Sequence, residues 1–356
     1  MHSVPVLLAD RSYEVRIGRG LLGLLGELAK PLRLGRKCAV ITDSIVGGLY
    51  GGQTATSLRD AGFDPLLLTV ASGEKSKSFV VAEDLCQRMA VAGLDRKAWV
   101  VALGGGVVGD LAGFVAAIYF RGIPFVQIPT TVLAQVDSSV GGKTGINLAA
   151  GKNLVGAFHQ PRLVVADTAT LDTLPDREFN EGFAEIIKHA VIRDADLFER
   201  LKSFDRRDLD AVVRRNVEIK AAVVAADERE ETGIRALLNF GHTIGHGIEN
   251  AAGYGVLLHG EAISLGMVAA SRLSAKKAGL SEREASEIVE LLQKFSLPTR
   301  LPDGIATADI VGALQKDKKF EEGAIRFVLA PRIGEAFVST DVTPADIEQE
   351  IEALRK

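Results

Sequence analysis

The sequence predicts an α/β domain built on a parallel sheet over residues 1–175, followed by an all-α domain over residues 176–356. Three observations carry this reading. Before Pro175, short and continuously apolar runs alternate with helical patterns, and strands buried on both faces read as unbroken hydrophobic segments. After Pro175 nearly every apolar pattern takes helical spacing. At 356 residues the chain also exceeds one average core, so two domains are expected.

The amino-terminal half opens with a strand at Tyr13–Ile17. Cys38–Thr42 (CAVIT) is a strand ending at Asp43, and Leu49–Ala61 is a helix stopped by Gly62. Pro65–Val70 is the next strand, and Ser76–Ala92 is an amphipathic helix with Gly93 as its stop. Trp99–Leu103 (WVVAL) opens into Gly104–Gly106, and a small-residue helix follows over Val107–Phe120. Phe125–Ile128 and Leu163–Ala166 complete the strands. In the second half, helical spacing covers Glu178–Arg193, Leu197–Leu201, Leu209–Asp227, Ile234–Ala252, Gly260–Ala278, Glu282–Phe295 and Ala306–Gln315, with one β run at Ile325–Leu329.

Composition narrows the function. A net charge of −4 argues against a general nucleic-acid binder, whose footprint is basic. An anionic substrate would therefore need a local cationic pocket. No run of 18 apolar residues occurs, so no membrane span is expected. The start MHSVPVLLADRSYEV lacks the pattern of a secretory signal. Cys38 and Cys86 lie in apolar or amphipathic runs without a CxxC, and read as buried thiols of a protein in a reducing cytosol.

Gly104, Gly106 and Gly109 satisfy GxGxxG between a hydrophobic strand and a helix, the context in which backbone N–H groups approach a pyrophosphate. Two features depart from the usual dinucleotide motif. The glycines follow the third strand rather than the first, and no acidic residue stands about 20 positions on. A plain packing turn is the competing reading. Asp43, Glu74 and Lys77 fall after strands, at the edge where open α/β sheets bind ligands; solvated loop charge is the ordinary alternative for each. Pro129–Asn147 (PTTVLAQVDSSVGGKTGIN) is the densest polar and glycine-rich stretch, and reads as a long functional loop. It is not a Walker A loop, because the leading glycine would fall at position 137, which is Asp137.

Three of six histidines, His242, His246 and His259, fall within Arg235–Glu261. His242 and His246 are four apart and share a helix face. GHTIGH lacks the glutamate of HExxH, which removes the metalloprotease reading. Glu185 and Lys188 are three apart on an earlier helix, as an exposed ion pair or as buried partners. Three imidazoles with Glu185 would close a tetrahedral metal site, whereas three ligands including Glu185 would leave a position open for catalysis. His246 is then a ligand or a nearby acid–base group, and spacing leaves both open. His189 reads as structural. Solvated helix face is the ordinary reading of Lys220, Arg229, Arg235 and the lysines of QKDKKF.

Taken together, GGGVVGD, YFRG, IPTTVLAQVDSSVGGKTGIN, GKNLVGAFHQP, AEIIKH, VVAADERE, RALLNFGHTIGH, LHGEAISLGM and DKK resemble the 3-dehydroquinate synthases of the shikimate pathway in order and spacing, from about residue 10 to 340. Ser72 and Ser76 depart from the family's usual Asp and Tyr, and EREETG carries an extra residue. The resemblance implies a Rossmann-like NAD-binding domain, a helical metal- and substrate-binding domain, and a homodimer. It implies Zn²⁺ or Co²⁺ on Glu185, His242 and His259. It implies NAD contacts at Asp43, Ser72, Glu74, Lys75, Lys77, Gly105, Gly106, Val107, Val108, Gly109, Asp110, Thr130, Thr131, Asp137, Lys143, Lys152, Thr170, Leu171, Asp172 and Thr173. Substrate groups carry over to Asp137, Lys143, Lys152, Asn153, Lys188, Lys220, Arg235, Asn239, His246 and Lys318 of DKK, with Arg121 supplied by a second subunit. The implied substrate is a phosphorylated sugar acid, 3-deoxy-D-arabino-heptulosonate 7-phosphate. The implied location is the cytoplasm, without nucleic-acid or membrane partners. Rival readings are a related sugar-phosphate cyclase, a metal-dependent polyol dehydrogenase needing fewer phosphate-binding cations, and a nucleotide-binding scaffold with a closed structural zinc.

Overall fold

The computed structural model describes residues 1–253, 255–315, 320–321 and 324–356. Two compact units emerge: Met1–Leu174 with Leu209–Arg229, and Pro175–Asp208 with Glu230–Lys356. The change at Pro175 falls where composition shifts. The helix Leu209–Ala226, expected in the helical half, joins the α/β unit instead. It packs on the first two strands and on the turn Ala134–Ser138, because its apolar stripe of Leu209, Val212, Val213 and Val217 covers that side.

The α/β unit holds a seven-stranded sheet. Its strands are β1 (His2–Val6), β2 (Tyr13–Gly18), β3 (Lys37–Asp43), β4 (Asp64–Val70), β5 (Trp99–Gly104), β6 (Phe125–Pro129) and, after the separate hairpin β7 (Lys143–Leu148) and β8 (Gly151–Phe158), β9 (Leu163–Asp167). The order is β1-β2-β9-β6-β5-β3-β4. All neighbours are parallel except β1 against β2. Sequence reading missed β1, where Pro5 interrupts a short run; proline is tolerated there because β1 is an edge strand. Alternate residues of the central strands enter two cores. Ala39, Ile41, Val100, Ala102 and Phe125 face one, while Cys38, Val40, Trp99, Val101, Leu103 and Val126 face the other. Burial on both faces explains the unbroken apolar runs.

Four corrections apply in this unit. The stretch read as a loop over Pro129–Asn147 runs instead from β6 through the one-turn helix Ala134–Ser138 into the hairpin β7–β8. Its glycines serve close packing: a side chain at Gly156 would lie 2.1 Å from the Thr144 carbonyl. The helix expected from Ser76 begins at Phe79, capped by Ser78, and the one expected from Leu49 begins at Gly52 after a turn at Gly47–Gly51. The helix from Gly106 ends at Ile118, before Phe120 and Arg121 take left-handed φ of 49° and 68°.

The second unit is mainly helical: Asp176–Glu181, Phe183–Arg193, Ala195–Lys202, His242–Ala252, His259–Lys277, Glu282–Lys294, Thr307–Gln315 and Pro344–Ala353. The run Glu178–Arg193 divides at Gly182. The helix expected over Ile234–Ala252 is broken into a turn, Arg235–Asn239, and a helix starting at His242, because Gly241 adopts φ 77°. The expected β run is Phe327–Arg332, paired antiparallel with Glu335–Ser339. That partner strand and the final helix, with its Thr343–Asp346 capping box, were not anticipated. No helix among the described residues is long and apolar enough to cross a membrane.

Candidate functional site

In the helical unit, glycines decide where the imidazoles meet. At Gly241 a side chain would lie 2.6 Å from Met267 Cγ, and at Gly266 one would lie 1.9 Å from the Gly241 carbonyl oxygen. Two helices therefore cross with their backbones nearly touching. His242 begins one of them and His259 begins the other. The third element, Phe183–Arg193, carries Glu185, which is fully buried.

Glu185 Oε1 is 3.4 Å from His242 Nε2 and 3.5 Å from His259 Nε2, and it makes no hydrogen bond. Two donors each about 2.0–2.1 Å from a tetrahedral zinc are themselves about 3.4 Å apart. A buried carboxylate oxygen flanked by two imidazole nitrogens at that spacing fits a divalent metal. The rings are aimed from behind. His242 Nδ1 lies 3.2 Å from the Phe240 carbonyl, and His259 Nδ1 lies 3.2 Å from Glu249 Oε2. Such partners fix the tautomer, and each Nε2 faces Glu185 Oε1. A nitrogen of half-buried His246 is within 4.8 Å of those of His242 and His259. Lys188 bonds the other oxygen of Glu185, so the i, i+3 pair is a buried one.

Electrostatics separate the two imidazoles. Burial and the nearby Lys188 ammonium push His242 down to about 4, leaving it neutral and ready to ligate. Burial also disfavours the charged form of His259, but Glu185 and Glu249 outweigh it and raise its pKa to about 10. Burial opposes ionisation of Glu185, yet Lys188 and His242 hold it well below the usual carboxylate range.

In the α/β unit, β3 leads outward to β4 while β5 lies on its other side, so strand order reverses between β3 and β5. Thr42 pairs with Leu103, which sets Asp43 and Gly104 side by side at the carboxyl edge. This is the switch-point crevice where open α/β sheets take ligands. The helix Gly106–Ile118 points its N-terminus there, with Gly105 as N-cap and Val107 and Val108 in its first turn. A side chain at Gly109 would press to 3.0 Å from Gln127 Oε1 on β6, so this glycine permits close helix–strand packing. Thr130 follows β6, donates its backbone N–H to the Gly104 carbonyl, and has a buried, unbonded hydroxyl. Thr131 accepts from the Ala134 N–H. Asp43 Oδ1 accepts from the Ile45 and Val46 N–H groups, so one of its oxygens is already engaged.

The segment after β4 forms a second cluster. Lys77 Nζ donates to Asp110 Oδ2 at 2.8 Å and to Asn153 Oδ1 at 2.6 Å, with Glu74 Oε1 at 3.6 Å. Asn147 Nδ2 donates to Glu74 Oε1 at 2.8 Å. Burial raises the Asp110 pKa, against the opposing pull of Lys77. Lys220, from the helix Leu209–Ala226, pairs with Asp137. Thr170–Thr173 lie in the turn after β9, where Tyr50 Oη bonds the Thr170 carbonyl and Thr173 Oγ1. Leu171 is core, and Asp172 pairs with Arg19.

The remaining residues fall in several places. Lys152 is half-buried on β8, Lys143 is exposed at the start of β7, and Ser72, Lys75 and Arg121 are exposed. Arg235 is buried with Glu230 Oε1 at 3.6 Å, and Asn239 is half-buried at the end of the same turn. Lys318, with Lys316 and Lys319, lies outside the described residues. Sequence reasoning missed Glu249, Asn147 and Tyr50. Glu249 was findable, since it lies seven residues after His242 on one helix and returns to the same face.

Fold and site define a class: two-unit enzymes that join a nucleotide-type parallel sheet to a metal-ligating helical unit. The 3-dehydroquinate synthase N-terminal family model matches residues 67–181, and the C-terminal model matches residues 182–320. The chain is 45% identical over 354 residues to the 3-dehydroquinate synthase of Desulforamulus reducens, covering 98% of each. The chain belongs to the 3-dehydroquinate synthase family. Among solved structures it is similar to a 2-deoxy-scyllo-inosose synthase complexed with carbaglucose-6-phosphate, NAD⁺ and Co²⁺, at 28% identity, TM-score 0.89 and 99% of each chain. It is also similar to the 2-epi-5-epi-valiolone synthase of Streptomyces hygroscopicus with NAD⁺ and Zn²⁺ bound, at 30% identity, TM-score 0.87 and 98% of each chain.

Proposed function

We propose that this chain is a 3-dehydroquinate synthase, a carbon–oxygen lyase acting on a phosphate. It converts 3-deoxy-D-arabino-heptulosonate 7-phosphate to 3-dehydroquinate and phosphate. The reaction runs by transient oxidation at C5, β-elimination of phosphate, re-reduction, ring opening and intramolecular aldol closure. The observation that carries the reading is the unbonded Glu185 oxygen at ligand spacing from His242 and His259.

Glu185, His242 and His259 would hold Zn²⁺ or Co²⁺. NAD would lie on the α/β unit, at Asp43, Glu74, Lys77, Gly105–Asp110, Thr130, Thr131 and Thr170–Thr173. Bound NAD supplies a hydride acceptor restored in each turnover, and the bound ion polarises neighbouring substrate hydroxyls. The chain's own groups do the rest. Lys152, Asn153, Arg235 and His246 suit the phosphate, joined by Arg121 of a second copy in a homodimer. Lys143, Lys220 and Lys318 suit the carboxylate and hydroxyls. Phe240 and Glu249 keep the two ligand rings aimed. Orientation supplies much of the rate, and the substrate's own phosphate moves protons. Two buried or half-buried unpaired cysteines support a reducing, cytoplasmic location.

The test is incubation with substrate and catalytic NAD⁺, following orthophosphate and NADH together. Phosphate should accumulate without NADH, and chelation should stop it until Zn²⁺ or Co²⁺ is returned. Steady accumulation of NADH would make the chain a dehydrogenase and end the proposal.

A further inference from the structure

Asn153 is not glycine, yet its backbone sits in the left-handed region at φ 54°. Asparagine is among the residues that enter that region most readily, but outside glycine it still needs neighbours to hold it there. Two contacts impose it. The Asn153 N–H donates to Asn147 Oδ1 at 2.9 Å, and Asn153 Oδ1 accepts from Lys77 Nζ.

Asn147 is the hub of this arrangement. Its backbone N–H donates to the Lys77 carbonyl at 2.8 Å, and its side-chain amide donates to Glu74. Both ends of one amide are thus used: Oδ1 grips the far strand of the hairpin, and Nδ2 grips the segment Glu74–Ser76. Lys152 and Asn153 are adjacent on that far strand. Aspartate would keep the acceptor and lose the donor, and serine would be too short to reach both partners.

We infer that Asn147 is a positioning residue, which holds Asn153 in its left-handed conformation and so presents the Lys152–Asn153 pair to the phosphate of the substrate. The inference rests on the reading above that Asn153 meets that phosphate. It adds that recognition depends on a residue outside contact with the ligand. It also ties the phosphate-binding arm to the Glu74–Lys77 segment expected at NAD.

The test uses the full-length enzyme with its metal and NAD, and inorganic phosphate as competitive inhibitor. Asn153→Ala, Asn147→Ala and the double variant are compared with wild type. Each single variant should weaken phosphate inhibition and raise KM by about tenfold, and the double variant should be no worse than Asn153→Ala alone, because residues acting through one contact are not additive. Asn147→Asp keeps an acceptor for the Asn153 N–H but sets a carboxylate against Glu74, so it is combined with Glu74→Gln, which supplies a neutral donor in return; the combined variant should recover phosphate affinity relative to Asn147→Ala. Matching melting curves would establish that the variants fold, and the combined variant keeps the test alive should the alanine variant not fold. If Asn153→Ala weakens phosphate but Asn147→Ala does not, or if the two losses multiply, Asn147 does not position Asn153. If Asn153→Ala leaves phosphate inhibition intact, the phosphate reading of Asn153 falls first, and the role of Asn147 with it.

Discussion

Glu185 and Lys188 show what one residue pair can and cannot reveal. Three positions apart on a helix, they share a face whether that face meets water or protein. The helix Phe183–Arg193 is buried almost all round, from Phe183 to Ile192, so the pair is desolvated and held by its neighbours. A single-helix pattern does not encode the elements that surround it. The histidines were legible from their spacing, whereas the meeting of Glu185 Oε1 with His242 and His259 was not, because it depends on how three helices pack. Glu185→Gln keeps an acceptor for Lys188 and removes the proposed anionic donor to the metal. We expect metal retained after dialysis to fall at least about tenfold, as changes at a metal's supporting shell already cost 10–100-fold, with turnover lost in parallel. Elemental analysis beside circular dichroism checks it; full metal content would exclude Glu185 from the site.

Elements follow packing more than propensity. The central strands were readable because both faces are buried, which leaves no polar alternation to confuse them. The hairpin β7–β8 was hidden by glycines that look like loop residues but allow backbones to touch. Gly241 likewise ends a helix that periodicity would continue. Gly266→Ala would drive a methyl group into the Gly241 carbonyl, so we expect a loss of about 1–3 kcal/mol by overpacking together with weaker metal retention. Calorimetry and elemental analysis should move together, and a variant with normal stability and metal content would show that the crossing does not set the site. The last helix carries signals readable in sequence: Thr343 as cap, Pro344 in the first turn and Asp346 closing the capping box. Hydrogen bonds from Lys277 and from Thr343 lower the Asp346 pKa from 3.8 to about 2. A depressed pKa stabilises the fold above the unfolded value and loses that contribution as pH falls from near 3.8 through about 2. The melting difference between wild type and Asp346→Asn should therefore be present at neutral pH and close across that acid window. A difference that persists at the acid end would assign it to something other than ionisation.

At the scale of the whole molecule, the boundary at Pro175 was legible as a change of texture, and the return of Leu209–Arg229 to the α/β unit was not. Helical spacing identifies a helix without naming its partner. Here the partner is the side of β1 and β2, with Thr168 bonded to Asp210. A fragment ending at residue 174 should consequently melt with low cooperativity and self-associate, and one extended to residue 229 should recover a sharp transition. Thermal melting with gel filtration would decide it, and equal behaviour of the two fragments would remove the helix from the unit's structural core.

The polypeptide thus leaves the sheet-bearing unit, visits the other, comes home for one helix, and departs again. No single cut divides such a chain into two self-sufficient halves. Recombination that transplanted everything after Pro175 onto a different scaffold would carry off a stave of the donor's own wall, together with Lys220. Gene fusion and fission should accordingly treat this chain as one indivisible cassette.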